Sequence, residues 1–99
     1  MECTGCGSSL DRADRAASMS GSVMGDEHGD VYFLCPACGM YTVETWWDNF
    51  TGVETVEVSG PLSAEAGAGR VALIRQCSRP WDKTCRCNAH REYFGDALD

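Results

Sequence analysis

The 99-residue sequence contains no run of 18 or more apolar residues, so no stretch of it is long enough to cross a membrane as a helix. It also lacks a basic-then-apolar leader, because Met1 is followed at once by Glu2 and Cys3. A soluble, cytoplasmic protein is expected. Basic residues are scarce: 8 Lys+Arg stand against 15 Asp+Glu, for a net charge of −7. Binding a phosphate backbone needs a basic stripe, so this acidic balance argues against nucleic acid as the partner. Catalytic signatures are missing too. There is no G-x-S-x-G, no phosphate loop and no H-E-x-x-H, and the expectation is a protein that is not an enzyme.

So short a chain suits one domain, residues 1–99, and it buries too small a share of its surface for a core alone to give much stability. Cross-links would make up the difference, and seven cysteines are present. The odd count, the absent export signal and the spacing all favour thiolates holding metal over disulfides. In that compartment the Asn49-Phe50-Thr51 sequon is accidental.

Cys3-Thr-Gly-Cys6-Gly7 and Cys35-Pro-Ala-Cys38-Gly39 are two C-x2-C-G knuckles. This step lets two thiolates from one tight turn reach the same ion, and the glycine after it permits a positive φ that turns backbone N–H groups toward sulfur. Cys3, Cys6, Cys35 and Cys38 are the first expected ligand set. A second lies in Cys77-Ser-Arg-Pro-Trp-Asp-Lys-Thr-Cys85-Arg-Cys87-Asn-Ala-His90, read as C-x7-C-x-C-x2-H. Three thiolates and one imidazole are an ordinary zinc set, and Cys87 and His90 converge if a helix starts there. Seven Cys plus His90 complete two tetrahedra, although ligands could still pair across the two sets. His28 is a spare candidate ligand whose plainer reading is an exposed loop histidine.

Between these motifs, Ser8 to Met19 mixes Ala, Arg and Leu behind a Ser/Asp start and reads as a short helix. Ser20 to Asp30, with Gly21, Gly25 and Gly29, reads as a loop or the approach to a hairpin. Val31 to Leu34 and Met40 to Trp47 read as strands flanking the second knuckle. In the latter, Tyr41, Val43, Thr45 and Trp47 share one face and Met40, Thr42, Glu44 and Trp46 the other. A turn over residues 48–52 returns the chain into a strand at Val53 to Val58. Ser59 to Gly69 is a Gly-rich loop with at most one helical turn, Arg70 to Gln76 a last strand, and Gly95 to Asp99 a frayed tail. The expected architecture is a small metal-stabilised, mainly β fold, with ribbon hairpins, short helical segments and long loops. Its core is placed at residues 1–58, and its last strand and second metal segment at 70–94.

The two knuckles resemble those of zinc ribbons, over roughly residues 1–58. That resemblance implies β-hairpins carrying a four-thiolate zinc site, and it leaves function open among transcription, translation and docking modules. The knuckles are also similar to those of rubredoxins, which implies one iron held for electron transfer. Here, however, Ser, Ala and charged residues follow the first knuckle where rubredoxins are rich in Tyr. Two zinc ions are therefore the expected cofactors, with iron the second choice. Arg79, Lys83, Arg86 and Arg91 crowd the second ligand set, either offsetting its negative charge or forming, with exposed Trp81, Tyr93 and Phe94, a patch that docks a protein partner. Nothing in the residues sets an oligomeric state. The function expected is that of a non-catalytic zinc-binding accessory subunit, with iron electron transfer and nucleic-acid binding as the alternatives.

Overall fold

A computed structural model describes residues 1–49 and 54–99. Four strands, β1 (Arg15–Val23), β2 (Asp26–Leu34), β3 (Tyr41–Asp48) and β4 (Glu54–Leu62), form one sheet in the order β1-β2-β3-β4. Every neighbouring pair is antiparallel. Two helices follow, α1 (Ala64–Arg75) and α2 (Asn88–Phe94), so the fold is the expected small, mainly β one. The turn over residues 48–52 and the sequon's Phe50 and Thr51 lie outside the described residues, apart from Asp48 and Asn49.

The sheet packs on both faces. Toward the helices, Met19, Tyr32, Tyr41 and Val43 meet Val71, Ile74 and Ala89. On the opposite face Val31 and Phe33 pack with Leu10 and the buried knuckle cysteines Cys3 and Cys35. The alternation along β3 is as the sequence implies: Tyr41 and Val43 enter the first cluster while Trp46 packs against the second. Trp47, on Tyr41's face, stacks on His28 with ring centroids 5.2 Å apart.

Three sequence-based expectations are corrected. Ser8 to Met19 is not a helix. Asp11 does cap a turn, accepting from Ala13 N at 2.8 Å, but that 3-10 turn ends at Asp14 and the chain then extends as β1. Pairing with β2 and full burial of Met19, at 0 % exposed, override the helical preference of the Ala residues. Of the two readings of Ser20 to Asp30, loop or approach to a hairpin, the hairpin is the one found, with its glycines in β1, the turn and β2. A Cβ on Gly21 would meet the Phe94 ring at 2.6 Å, and one on Gly29 the Trp46 ring at 2.4 Å, so these are strand positions roofed by aromatic rings. The turn itself is the two residues Met24 and Gly25, both with positive φ (52° and 85°), as a hairpin with the sheet's twist requires.

The second correction is that Arg70 to Arg75 is helix, not strand, and that the expected loop from Ser59 to Gly69 instead completes β4 up to Leu62 and starts the same helix at Ala64. Ser63 caps α1 by accepting from Ala66 N at 3.1 Å, and Gly67, Val71 and Ile74 form its buried stripe at i, i+4, i+7. Gly67 is small because Tyr41 lies flat against it; a Cβ there would come within 2.0 Å of the ring. Thirdly, Gly95 to Asp99 is not frayed. Leu98 bridges Val23, and the Asp99 carboxylate accepts from Met24 N (2.8 Å), Gly25 N (2.7 Å) and Ser22 Oγ (2.8 Å), closing over the β1–β2 turn. Those donors hold its carboxyl below the usual carboxylate range, the Gly25 N–H foremost.

Candidate metal centres

The first knuckle is a strap across one sheet face, and the second is the turn joining β2 to β3. The two turns share one internal geometry. Gly7 N donates to Cys3 O at 2.9 Å and Gly39 N to Cys35 O at 2.8 Å, with φ of 79° and 74° at the glycines. Nothing lies within 4 Å of where a Cβ would sit at either position, so glycine is needed there for its φ alone. Cys35 N donates to Met40 O at 3.0 Å, which seats the second knuckle on the strand ends. Thr42, fully buried on β3, fixes the first: Thr4 N donates to its Oγ1 at 3.0 Å, and the two threonine hydroxyls are also 3.0 Å apart.

These contacts bring Cys3, Cys6, Cys35 and Cys38 together with their sulfurs all within 4.8 Å of one another. Cys3 and Cys38 are 3.6 Å apart, as are Cys6 and Cys35. Such spacing is too long for disulfides and suits the edges of a tetrahedron around one ion. Backbone N–H groups of Cys6 and Gly5 draw Cys3 down to about 6, and Ser8 lowers Cys6 with its hydroxyl and its N–H. Cys38 goes the other way. The Met40 N–H would lower it, but desolvation and the three neighbouring sulfurs push it up to about 12. Four thiols so close cannot all ionise without a cation, which is the electrostatic signature of a metal site. Cys3 and Cys35 are buried whereas Cys6 and Cys38 are exposed.

The second set sits between the sheet and the helices. Cys77 follows α1, Cys87 is the N-cap of α2 with its sulfur accepting from His90 N at 3.4 Å, and His90 lies in the first turn of that helix. The expected convergence across three residues is thus produced by a helix start. Cys77, Cys85, Cys87 and His90 offer atoms all within 4.8 Å of one another. His90 Nδ1 is 3.3 Å from both Cys77 Sγ and Cys87 Sγ, and Cys77 and Cys85 sulfurs are 3.8 Å apart. On the other side of the ring, Nε2 is 2.9 Å from the Ser20 carbonyl oxygen. A carbonyl can only accept, so Nε2 carries the proton and Nδ1 turns its lone pair toward the sulfurs of Cys77 and Cys87, where it could serve as a metal ligand. Burial raises Cys77 to about 12. At Cys87 burial is outweighed by the His90 N–H and ring, and the thiol falls to about 6. Both donor sets fit zinc: four sulfurs in one, three sulfurs and an imidazole nitrogen in the other, with no pairing across sets.

His28 joins neither set. It lies between Trp47 and Phe94, with Nε2 3.9 Å from Asp30 Oδ1. The aromatic patch is also corrected. Trp81 is 68 % exposed, but Phe94 packs over Gly21 and Tyr93 is drawn inward. Tyr93 OH donates to Asp30 Oδ2 at 2.5 Å and lies 2.6 Å from Tyr32 OH, so burial and that carboxylate push Tyr93 well above the ordinary tyrosine value. Sequence reasoning missed Thr4 and Thr42, which latch the first knuckle, and Ser20, whose carbonyl orients His90. Thr42 alternates correctly for the knuckle face of β3, but a backbone carbonyl leaves no residue-type signal.

Neither family models, curated proteins nor solved structures give a match to this chain. The likeness to zinc ribbons therefore rests on the two knuckles, and the class defined by fold and sites is a four-stranded antiparallel meander with two metal-capable clusters, one of four cysteines and one of three cysteines and a histidine.

Proposed function

We propose that the chain is a non-catalytic zinc-binding protein in which both ions are structural, acting as an accessory subunit that docks onto a larger protein. The observation that carries this reading is the gathering of seven cysteines and His90 into two complete four-donor sets. With four protein ligands each, neither ion would keep a position for water or substrate, and such closed sites support folding, not Lewis-acid chemistry. The docking part draws on Trp81, exposed in the loop between Cys77 and Cys85 with Arg79 and Lys83 beside it.

The test is metal content per chain on protein purified without oxygen, with a visible spectrum of the same sample and circular dichroism before and after chelation. Two zinc, no colour and loss of the native spectrum on chelation are expected. A native fold that survives full metal removal overturns the structural role. The exposure of Cys6 and Cys38 favours one further reading, iron in the first site exchanging electrons through those sulfurs. Thiolate-to-iron absorption in the same spectrum would establish it.

A further inference from the structure

The two edges of the sheet are treated differently. Along β1 the rest of the chain supplies hydrogen bonds: Arg75 to the Ala16 carbonyl at 3.2 Å, Ser20 N to the Pro80 carbonyl at 2.7 Å, and Asp99 N to the Ser22 carbonyl at 2.9 Å. The opposite edge, β4, pairs with β3 and with nothing else among the described residues. Its residues Glu54 to Pro61 are exposed throughout, including Val56 at 53 % and Val58 at 48 %. Those valines stand opposite Trp46 and Glu44 of β3 on one face of the sheet, while Glu57 stands opposite Thr45 on the other.

An uncovered edge strand is a template for another strand, and proteins usually guard such an edge with lysine, a bulge or a covering loop. Here no Lys or Arg occurs anywhere between Arg15 and Arg70. The outer two strands instead carry Glu44, Asp48, Glu54 and Glu57, and neither Glu54 nor Glu57 is in an ion pair among the described residues. Negative charge deters a second copy of β4, because antiparallel self-pairing would set these carboxylates against one another. The same charge attracts a basic strand.

We propose that β4 is a docking edge that takes up an extended, Lys/Arg-rich segment of a partner protein as a fifth strand. The segment's backbone would pair with Glu54–Ser59, its apolar side chains would cover Val56 and Val58 on one face, and its cations would meet Glu57 on the other. Pro61, which has no N–H to give, marks the far end of the usable edge. This inference rests on the docking reading above and adds to the Trp81 loop a second, acidic surface.

The experiment is titration of isotope-labelled protein, its metal content and circular dichroism already verified, with a capped hexapeptide of alternating Lys and Val and with its Glu/Val counterpart. The Lys/Val peptide should shift the amide resonances of Glu54–Ser59 with a Kd on the order of 100 µM that weakens as salt rises, and the Glu/Val peptide should not. Val58→Lys and Glu57→Lys should each lower the affinity at least about fivefold with metal content unchanged, which two exposed positions permit. Absence of shifts at β4, equal binding of both peptides, or a free protein already dimeric through β4 would overturn the docking edge. None of these outcomes touches the metal reading, which stands or falls on its own measurement.

Discussion

The two metal-capable clusters differ in where their donors come from and in what they join. In the first, Cys3 and Cys38 are 35 positions apart, two of the four thiols are exposed, and the site ties a strap to a sheet that already has its own pairing. In the second, Cys77 and His90 are 13 apart, His90 is fully buried, and Cys77 belongs to the main core. One set fastens a peripheral turn, while the other is part of the hydrophobic packing between helices and sheet. Two four-donor sets can therefore carry very unequal shares of stability.

The sharpest way to break that comparison is to remove one ligand from each centre. His90→Ala should abolish the second ion, orphan the Ser20 carbonyl and cost roughly 4 kcal/mol or more, enough to unfold much of the population at room temperature by circular dichroism. Cys38→Ser should lose only the first ion. Its melting temperature should fall by a few degrees, and hydrogen exchange should quicken at residues 2–10 while β2 and β3 stay protected. If both variants unfold alike, the unequal-share argument fails. A smaller effect is expected from Gly67→Ala, which drives a methyl into the Tyr41 ring and should cost about 2 kcal/mol, with exchange quickening in α1 before the knuckles.

The smallest effect concerns pH. Asp99 is held below its unfolded value, so its contribution is complete at neutral pH and is lost as pH falls through the native pKa, beginning near pH 4. Asp99→Asn should remove that acid-dependent increment, leaving a slightly lower melting point at pH 7 that converges with the parent once pH falls below the native pKa of Asp99. The β1–β2 turn should be the region whose exchange changes.

Ligand identity was the most legible part of the sequence because C-x2-C-G knuckles encode their own backbone geometry, and the C-x2-H step works once Cys87 caps a helix. The strand faces of β3 were legible for a similar reason: its period-two alternation is local. What could not be read was decided by partners far along the chain. Gly21 and Gly29 look like loop residues until Phe94 and Trp46 are laid over them, and Gly67 looks like a linker until Tyr41 occupies the space beside it. β1 has weak strand propensity and exists because β2 pairs with it. Tyr93 looked like an interface residue because Asp30, its half-buried acceptor, sits 63 positions away.

The closeness in sequence of the second centre's ligands has a kinetic consequence. Closing the short loop from Cys77 to His90 costs less chain entropy than joining Cys3 to Cys38, so the C-terminal segment is expected to capture its ion first. The ordered α2 would then present Phe94 to Gly21 and His90 to Ser20, offering β1 a surface on which to align before its own weak propensity could hold it. The ion nearest the end of the chain would thus act as the template for its first strand, and the exposed knuckles would close last, as a clasp over a sheet already formed.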